Sequence, residues 1–333
     1  MKKSILVSLL LVCTIFAFAG GKKESDSEKI VMRVGTIENV NNLGAKAVDR
    51  FAAIMKEKSG GVFIVEPYHA SQLGDTSKQL SQVKSGTIEA FRGSISSLGR
   101  LQGSLAIAEF IYLFENVEQA EKVALGPTMS KLNDDLSKEH GIRYVTASWS
   151  RLPRHILTKD PVKSLADLKG VKIRVPDAKL YIESFKAMGA TPTPVAFGEA
   201  YLAIKQGIVD GAENHVESLY NMKWHEVAKN LTLTYHSYDV TGFTVNQKWW
   251  DSVPAKYKKL FLDTDKEVNE WFVSEIGKLQ DEYINKMKAE GVTVWEVDTA
   301  PFRNSVIPAA AIAIENEGFW EKGLFDKIVK ELK

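Results

Sequence analysis

Three arginines and an acid-amide pair are the residues of this chain best suited to chemistry, and the chemistry they suit is capture of a carboxylate. Arg174 stands in Val171-Lys172-Ile173-Arg174-Val175, where apolar and basic residues alternate until Pro176 stops the strand. Twenty residues earlier lies Arg154, at the end of Trp149-Ser150-Arg151-Leu152-Pro153-Arg154, and forty residues later comes Glu213-Asn214-His215. A guanidinium offers a planar fork that meets both oxygens of a carboxylate with parallel charge-assisted hydrogen bonds. A lysine ammonium cannot reproduce that geometry. Arg174 could instead be a solvated residue paired with a local acid, but its place between apolar strand residues favours a partly buried position. Arg151 either contacts the ligand or braces a hinge. Glu213 would orient the arginines, or act as a general base if the protein were an enzyme. His215 adjoins Asn214 and reads either as pocket lining or as a structural imidazole.

The elements that must hold these residues can be read locally. Ser164 to Gly170 is one helical turn with a serine cap, closed by a glycine suited to the left-handed conformation. The Arg174 strand follows, and Asp177 is placed to cap a helix from Ala178 to Met188, ended by Gly189. Thr191 to Val195 is extended, Gly198 and Glu199 open a helix through Gln206, and Ile208 to Gly211 leads into Ala212-Glu213-Asn214. This is strand, helix, strand, helix, strand. In such a unit ligands bind in the crevice at the strand ends.

These motifs, Leu165-Ala166-Asp167-Leu168-Lys169-Gly170-Val171-Lys172-Ile173-Arg174-Val175-Pro176, then Gly189-Ala190-Thr191-Pro192-Thr193-Pro194, then Asp210-Gly211-Ala212-Glu213-Asn214, resemble the DctP-type solute-binding proteins of TRAP transporters. The resemblance runs from about Ile30 to the C-terminus and is densest between Arg154 and Asn246. It implies a two-lobed α/β binding protein of the type II-like kind, with mainly parallel sheets and a long helix spanning both lobes. It implies also that Arg174 forms the salt bridge to an organic acid, that Arg154 and Asn214 are further contacts, and that the partners are this acid and the TRAP membrane permease. Family members bind C4-dicarboxylates, sialic acid, uronates and other sugar acids. The polar and aromatic residues near the motifs favour a sugar acid, uronate-like, with a C4-dicarboxylate as the other candidate.

A chain of 333 residues is long for one core and natural for two lobes. It opens Met1-Lys2-Lys3, runs apolar from Ile5 to Phe18 and offers Ala17-Phe18-Ala19 before Gly20, the pattern of a cleaved secretory signal over residues 1–19. The expected location is therefore the periplasm. Loss of Lys2 and Lys3 takes the formal charge from +1 to −1, which gives no basic surface for nucleic acid. The only cysteine, Cys13, lies within the apolar run. Lipidation there is the minority alternative, since Leu10-Leu11-Val12 lacks the small residues that such a signal carries. Residues 20–29 form a polar leader. The remainder divides into lobe I, 30–150 and 240–279, and lobe II, 151–239 and 280–333, expected to act as a monomer.

In the first lobe, strands are expected at Lys29–Ile37, Val62–Pro67, Ile88–Phe91 and Ile142–Trp149, alternating with helices at Asn42–Lys58, from Asp75 through Val83, Val117–Leu125 and Thr128–Glu139. First-lobe contacts to a ligand are expected from Glu38 and Asn39, the Asp75 loop and the stretch from Arg92. Chain crossings fall near Trp149–Arg154 and Ser237–Gly242. The helix after Pro254 continues to Ala289, roughly 50 Å at 1.5 Å per residue, long enough to touch both lobes. Trp249 and Trp250 are either a sugar platform or packing. For enzyme chemistry the sequence offers little: six histidines without metal-ligand spacing, no phosphate-cradling glycine loop and no nucleophile elbow. Neither cofactor nor metal is expected. An exported two-domain enzyme, or a sensor-associated protein acting on similar acids, is the alternative to a transport binding protein.

Overall fold

In the computed structural model, residues 29–333 are described. The expected signal peptide over residues 1–19, most of the expected polar leader and Cys13 lie outside them. The strands are β1 (Ile30–Gly35), β2 (Phe63–Tyr68), β3 (Ala90–Ser94), β4 (Ile142–Tyr144), β5 (Arg154–Thr158), β6 (Lys172–Val175), β7 (Thr191–Pro194), β8 (Gly211–His215), β9 (Asn230–Leu233), β10 (Thr241–Asn246) and β11 (Thr293–Glu296). They form two sheets, one ordered β2-β1-β3-β10-β4 and the other β11-β9-β5-β8-β6-β7.

Each sheet is mixed in a particular way. In the first, β10 runs antiparallel to both of its neighbours, β3 and β4. In the second, β5 does the same between β8 and β9. The remaining pairs are parallel. Mainly parallel sheets are thus what the strand–helix alternation produces, and the reversed strand in each is the one that follows a chain crossing. A strand entering a sheet from the other lobe arrives without a crossover helix and can run against its neighbours.

The long helix, Ala255–Ala289, is continuous. Its N-terminal half places Phe261, Val268 and Phe272 among Phe51, Trp149 and Phe243 of the first core. Its C-terminal half places Tyr283, Ile284 and Met287 among Leu157, Leu219 and Trp224 of the second. One rigid rod therefore serves two cores. The C-terminal helices also touch both lobes: helix Ala309–Asn316 packs on helix Lys179–Ala187, and helix Leu324–Leu332 packs on helix Val117–Ala124. Phe110 meets Trp320 and Phe325 edge-on at 5.4 and 5.8 Å. The apolar run from Ala106 to Phe114 is buried throughout.

Three local expectations change, at Asp177, at Ser164 and in the strand from Ile142, and the open alternative at Trp249 and Trp250 is decided for packing. Helix Lys179–Ala187 has Ala178 at its N-cap, without a side-chain cap, so Asp177 is free of that duty and is exposed. The strand expected over Ile142–Trp149 is regular only to Tyr144; Val145 N and Ser148 N still donate to Phe243 O and Thr241 O at 2.8 and 2.9 Å, and the chain then turns into the crossing with Trp149 at a φ of 53°. Trp249 packs against the first core and Trp250 is buried in it, edge-on to Phe261 at 5.2 Å. Ser164 stands at the N-cap of its turn, but its hydroxyl donates to Asp167 Oδ2 at 3.0 Å and caps no backbone N–H. Asp75 accepts from Lys78 N at 2.8 Å and caps its helix. Gly170 and Gly189 take φ values of 75° and 85°, a region costly for any residue with a Cβ.

Candidate functional site

A cavity of about 720 Å³ lies between the two lobes. The first lobe contributes Ile37, Glu38, the Ser71–Ser77 segment and Arg100; the second contributes Arg154, Arg174, Asn214, His215 and the Val195–Glu199 segment, with Arg151 at the crossing. Arg174 reaches it from β6, where it pairs with Ala212 of the parallel β8. Asn214, two residues on, projects from the same face by the two-residue alternation of a strand. Both sit near the C-terminal ends of their strands, where such sheets gather ligands.

Arg174 is 3% exposed. Its Nε donates to Val195 O at 2.9 Å and its guanidinium lies 5.5 Å from the Trp224 ring. Its Nη1 is buried without a partner among the described residues. Burial pushes the guanidinium down to about 10, with Glu213 opposing that pull and Arg154 adding to it. A cation so placed is desolvated and under-satisfied, and a carboxylate entering the cavity would relieve both conditions. The one backbone bond fixes the plane of the fork.

Arg154 is different. Its Nε and Nη2 donate to the two carboxylate oxygens of Glu213 at 2.6 Å each, and it lies 5.0 Å from the Tyr181 ring. Burial alone would lower it, but the Glu213 field outweighs that and holds it well above the ordinary arginine range. Glu213, also buried, is in turn pulled down to about 2 despite its desolvation, mainly by Arg154. His236 Nε2 lies 3.2 Å from the same carboxylate. Glu109 sits 3.8 Å from Arg154 Nη1, bonded to Ser94, Ser96 and Tyr181, and burial raises it to about 7. Arg154 thus lines the cavity as an already neutralised cation on a rigid mount.

Arg151 is paired with Glu38 across the lobes and with Asp239 at the second crossing. It ties the hinge and keeps Glu38 from presenting a free charge to the cavity. Asn214 Oδ1 accepts from His215 N at 2.9 Å, which directs its amide nitrogen elsewhere as a donor. His215 is held well below its ordinary value by burial, with Arg151 and Arg154 adding to the effect. A neutral imidazole therefore lines the wall. Asp75 and the start of its helix reach the cavity mouth.

Three expected contacts, Asn39, Arg92 and Glu213, do not reach the cavity. Asn39 turns its Oδ1 to Asn41 N at 2.9 Å. Arg92 is buried inside the first lobe, 4.3 Å from the Trp149 ring and 5.2 Å from that of Phe243, donating to Ser148 O at 2.8 Å. It faces the aromatic core because β3 directs it there. The first-lobe arginine at the cavity is instead Arg100, eight residues on, at the end of the short helical segment Ile95–Arg100 that continues β3. The sequence marks it only as a cation between Leu98 and Leu101. Glu213 holds Arg154 from behind and does not line the cavity.

The lobes are also joined beside the cavity. Glu217 Oε1 accepts from Leu43 N at 2.6 Å, Asn42 Nδ2 donates to Ser218 Oγ at 3.2 Å, and Asn221 Nδ2 donates to Asn42 Oδ1 at 2.9 Å. These bonds link the start of helix Leu43–Lys58 to helix Val216–Asn221. Among the described residues there is no cluster of His, Cys, Asp and Glu able to hold a metal, and no helix is long and apolar enough to cross a membrane.

Comparison with known proteins agrees with this architecture. The sialic acid-binding periplasmic protein SiaP of Vibrio cholerae is 27% identical over 288 residues, covering 83% of this chain and 86% of that one. A TRAP periplasmic solute-binding protein of Actinobacillus succinogenes, solved with L-galactonate bound, superposes with a TM-score of 0.85 at 28% identity, over 91% of this chain and 99% of that one. Another from Ochrobacterium anthropi, with L-fuconate bound, gives 0.84 at 29% identity, over 92% and 100%. Members of this group are transport binding proteins that take small acids and work with membrane permease components. The model of the bacterial extracellular solute-binding proteins, family 7, matches residues 34–316. The chain belongs to that family, the DctP-type solute-binding proteins of TRAP transporters.

Proposed function

We propose that this protein is exported through a cleaved signal, acts in the periplasm as a monomer, and captures a small hydroxylated organic acid by salt-bridging its carboxylate to Arg174. Residues 30–150 and 240–279 act as one lobe, 151–239 and 280–333 as the other, and ligand-driven closure gives a loaded form that a TRAP permease recognises. The observation that carries this reading is the buried Arg174 fork in the cavity wall, held on one side by Val195 O and without a partner for its Nη1 among the described residues. Arg154 and Asn214 complete the carboxylate end, the first as a pre-neutralised donor and the second as an amide donor. Sugar acids suit the remaining wall, where Asp75, Asp177 and Glu199 offer acceptors for hydroxyl groups and Phe197 offers an apolar face. The bound acid leaves unchanged in this reading, which is supported by the family's role as transport binding proteins and by Glu213 being locked on Arg154.

A thermal-shift screen against aldonates, uronates and C4-dicarboxylates, followed by calorimetry on the hits, tests the reading. A ligand that binds only the folded protein raises its melting temperature. An acid that binds wild type but not Arg174→Met supports it. Binding that survives that substitution, or product formed on prolonged incubation, would overturn it.

A further inference from the structure

We propose that Arg100 is a second anion anchor of the cavity, and that the ligand is a hydroxylated dicarboxylate whose two acidic ends meet Arg174 and Arg100. This deepens the reading above and rests on it. The four arginines at the cavity fall into two pairs. Arg154 and Arg151 are neutralised by protein carboxylates, Glu213 for one and Glu38 with Asp239 for the other. Arg174 and Arg100 have no ion pair within 4 Å among the described residues, and each has a buried guanidinium nitrogen without a hydrogen-bond partner, Nη1 in Arg174 and Nε in Arg100.

The two free cations stand on opposite lobes. Arg100 ends the helical segment Ile95–Arg100 of the first, and Arg174 lies on β6 of the second. They are close enough that the Arg100 charge helps depress Arg174. Arg100 is itself lowered by burial, which the Asp177 and Asp75 charges only partly offset. Both of those aspartates are exposed, as is Glu199, so water screens them and none closes on Arg100. A monocarboxylate bound at Arg174 would leave Arg100 as an unpaired cation in a cavity the ligand has just dried, and an unpaired desolvated charge is costly. A second carboxylate removes that cost and makes contact with the other lobe, which is the differential contact that closure requires.

Size agrees. At about 30 Å³ per water, 720 Å³ accommodates on the order of two dozen waters, enough for a six-carbon diacid with several retained waters. The exposed carboxylates at the mouth then serve as acceptors for hydroxyls along the chain, and the anionic ends are directed inward to the arginines.

Calorimetry on the mature protein with acids of matched skeleton provides the test: galactarate against galactonate and galacturonate, glucarate against gluconate and glucuronate. Wild type should bind a diacid about 30-fold or more tighter than its monoacid counterparts, the scale of a buried charge pair. Arg100→Gln should remove most of that preference, weakening the diacids while binding monoacids at least as tightly as wild type because the unpaired cation they leave is gone, and Arg100→Lys should keep part of the preference. Melting temperatures of the apo variants at or above wild type would show that the fold is intact. Equal affinity of wild type for monoacids and diacids, or an equal loss for both in Arg100→Gln, would overturn the proposal. If monoacids bind in an Arg174-dependent way without diacid preference, only the role of Arg100 falls. If none of these acids binds, the organic-acid reading falls with it.

Discussion

Replacing Arg174 by Met should separate binding from stability in opposite directions. Burial pushes the guanidinium down from the ordinary arginine range, by between two and three pH units, to about 10. At ~1.4 kcal/mol per pH unit this corresponds to about 3 kcal/mol against the charged form in the ligand-free protein. Methionine removes that cost. It also removes the hydrogen bond to Val195 O, worth roughly 1 to 1.5 kcal/mol, while keeping an unbranched stem against Trp224. The balance predicts an apo protein more stable by about 1 to 2 kcal/mol. Binding should fall by about 3 to 5 kcal/mol, because the ligand carboxylate enters the same dry site with no partner. Arg174→Lys should weaken binding by about 2 to 5 kcal/mol with little loss of fold, since a point charge cannot hold Val195 O and both carboxylate oxygens at once. Urea unfolding without ligand and calorimetry with the screened acid read the two effects. An apo Arg174→Met less stable than wild type by more than 1 kcal/mol would refute the claim that the cation is held at a cost for the ligand. Near-native affinity in Arg174→Lys would remove the two-point clamp.

Asn214→Ala should cost about 1 to 3 kcal/mol of binding by calorimetry, as it removes a neutral donor from the carboxylate end. Glu213→Gln should destabilise the apo fold by roughly 3 kcal/mol in denaturant titration, because it strips the counter-charge from Arg154 where burial leaves no solvent to replace it. Glu217, raised to about 7 chiefly by burial, bonds Leu43 N of the other lobe. A carboxyl raised in the folded state favours folding fully below its unfolded value near 4.5, and that contribution is lost as pH rises through about 7. Glu217→Gln keeps the acceptor and removes the titration, so it should stabilise the protein at pH 8 relative to wild type and leave it unchanged at pH 4.5; a constant difference across that range would refute the linkage. Finally, small-angle scattering should show a smaller radius of gyration at ligand saturation than in the apo protein, and an unchanged value would favour a rigid pocket over hinge closure.

Most of the local elements were legible in the sequence, as were Arg174, Arg154 and Asn214, which the fold brings to one cavity. Alternation around Ile173-Arg174-Val175 marks a strand with an inward arginine, Gly170 and Gly189 must take φ values open to few other residues, and an uninterrupted run from Pro254 to Ala289 can only be a helix too long for one lobe. These are short-range facts, set by backbone sterics and periodicity, and the ordered motifs around Arg174 and Asn214 carry the family with them. Which arginine meets a ligand is a different kind of fact. Arg92, Arg100, Arg151 and Arg154 have identical side chains, and nothing local distinguishes them. Tertiary packing decided that Arg92 lies against Trp149, away from the cavity, that Arg151 and Arg154 spend their charge on Glu38, Asp239 and Glu213, and that at the cavity Arg100 and Arg174 have no acid partner within 4 Å among the described residues. Those partners stand between 59 and 113 residues away in the chain for Arg154 with Glu213 and Arg151 with Glu38. A guanidinium's role depends on which carboxylates the folded chain brings within a few ångströms and on how much water it leaves, and both are set only when the two lobes and their crossings come together.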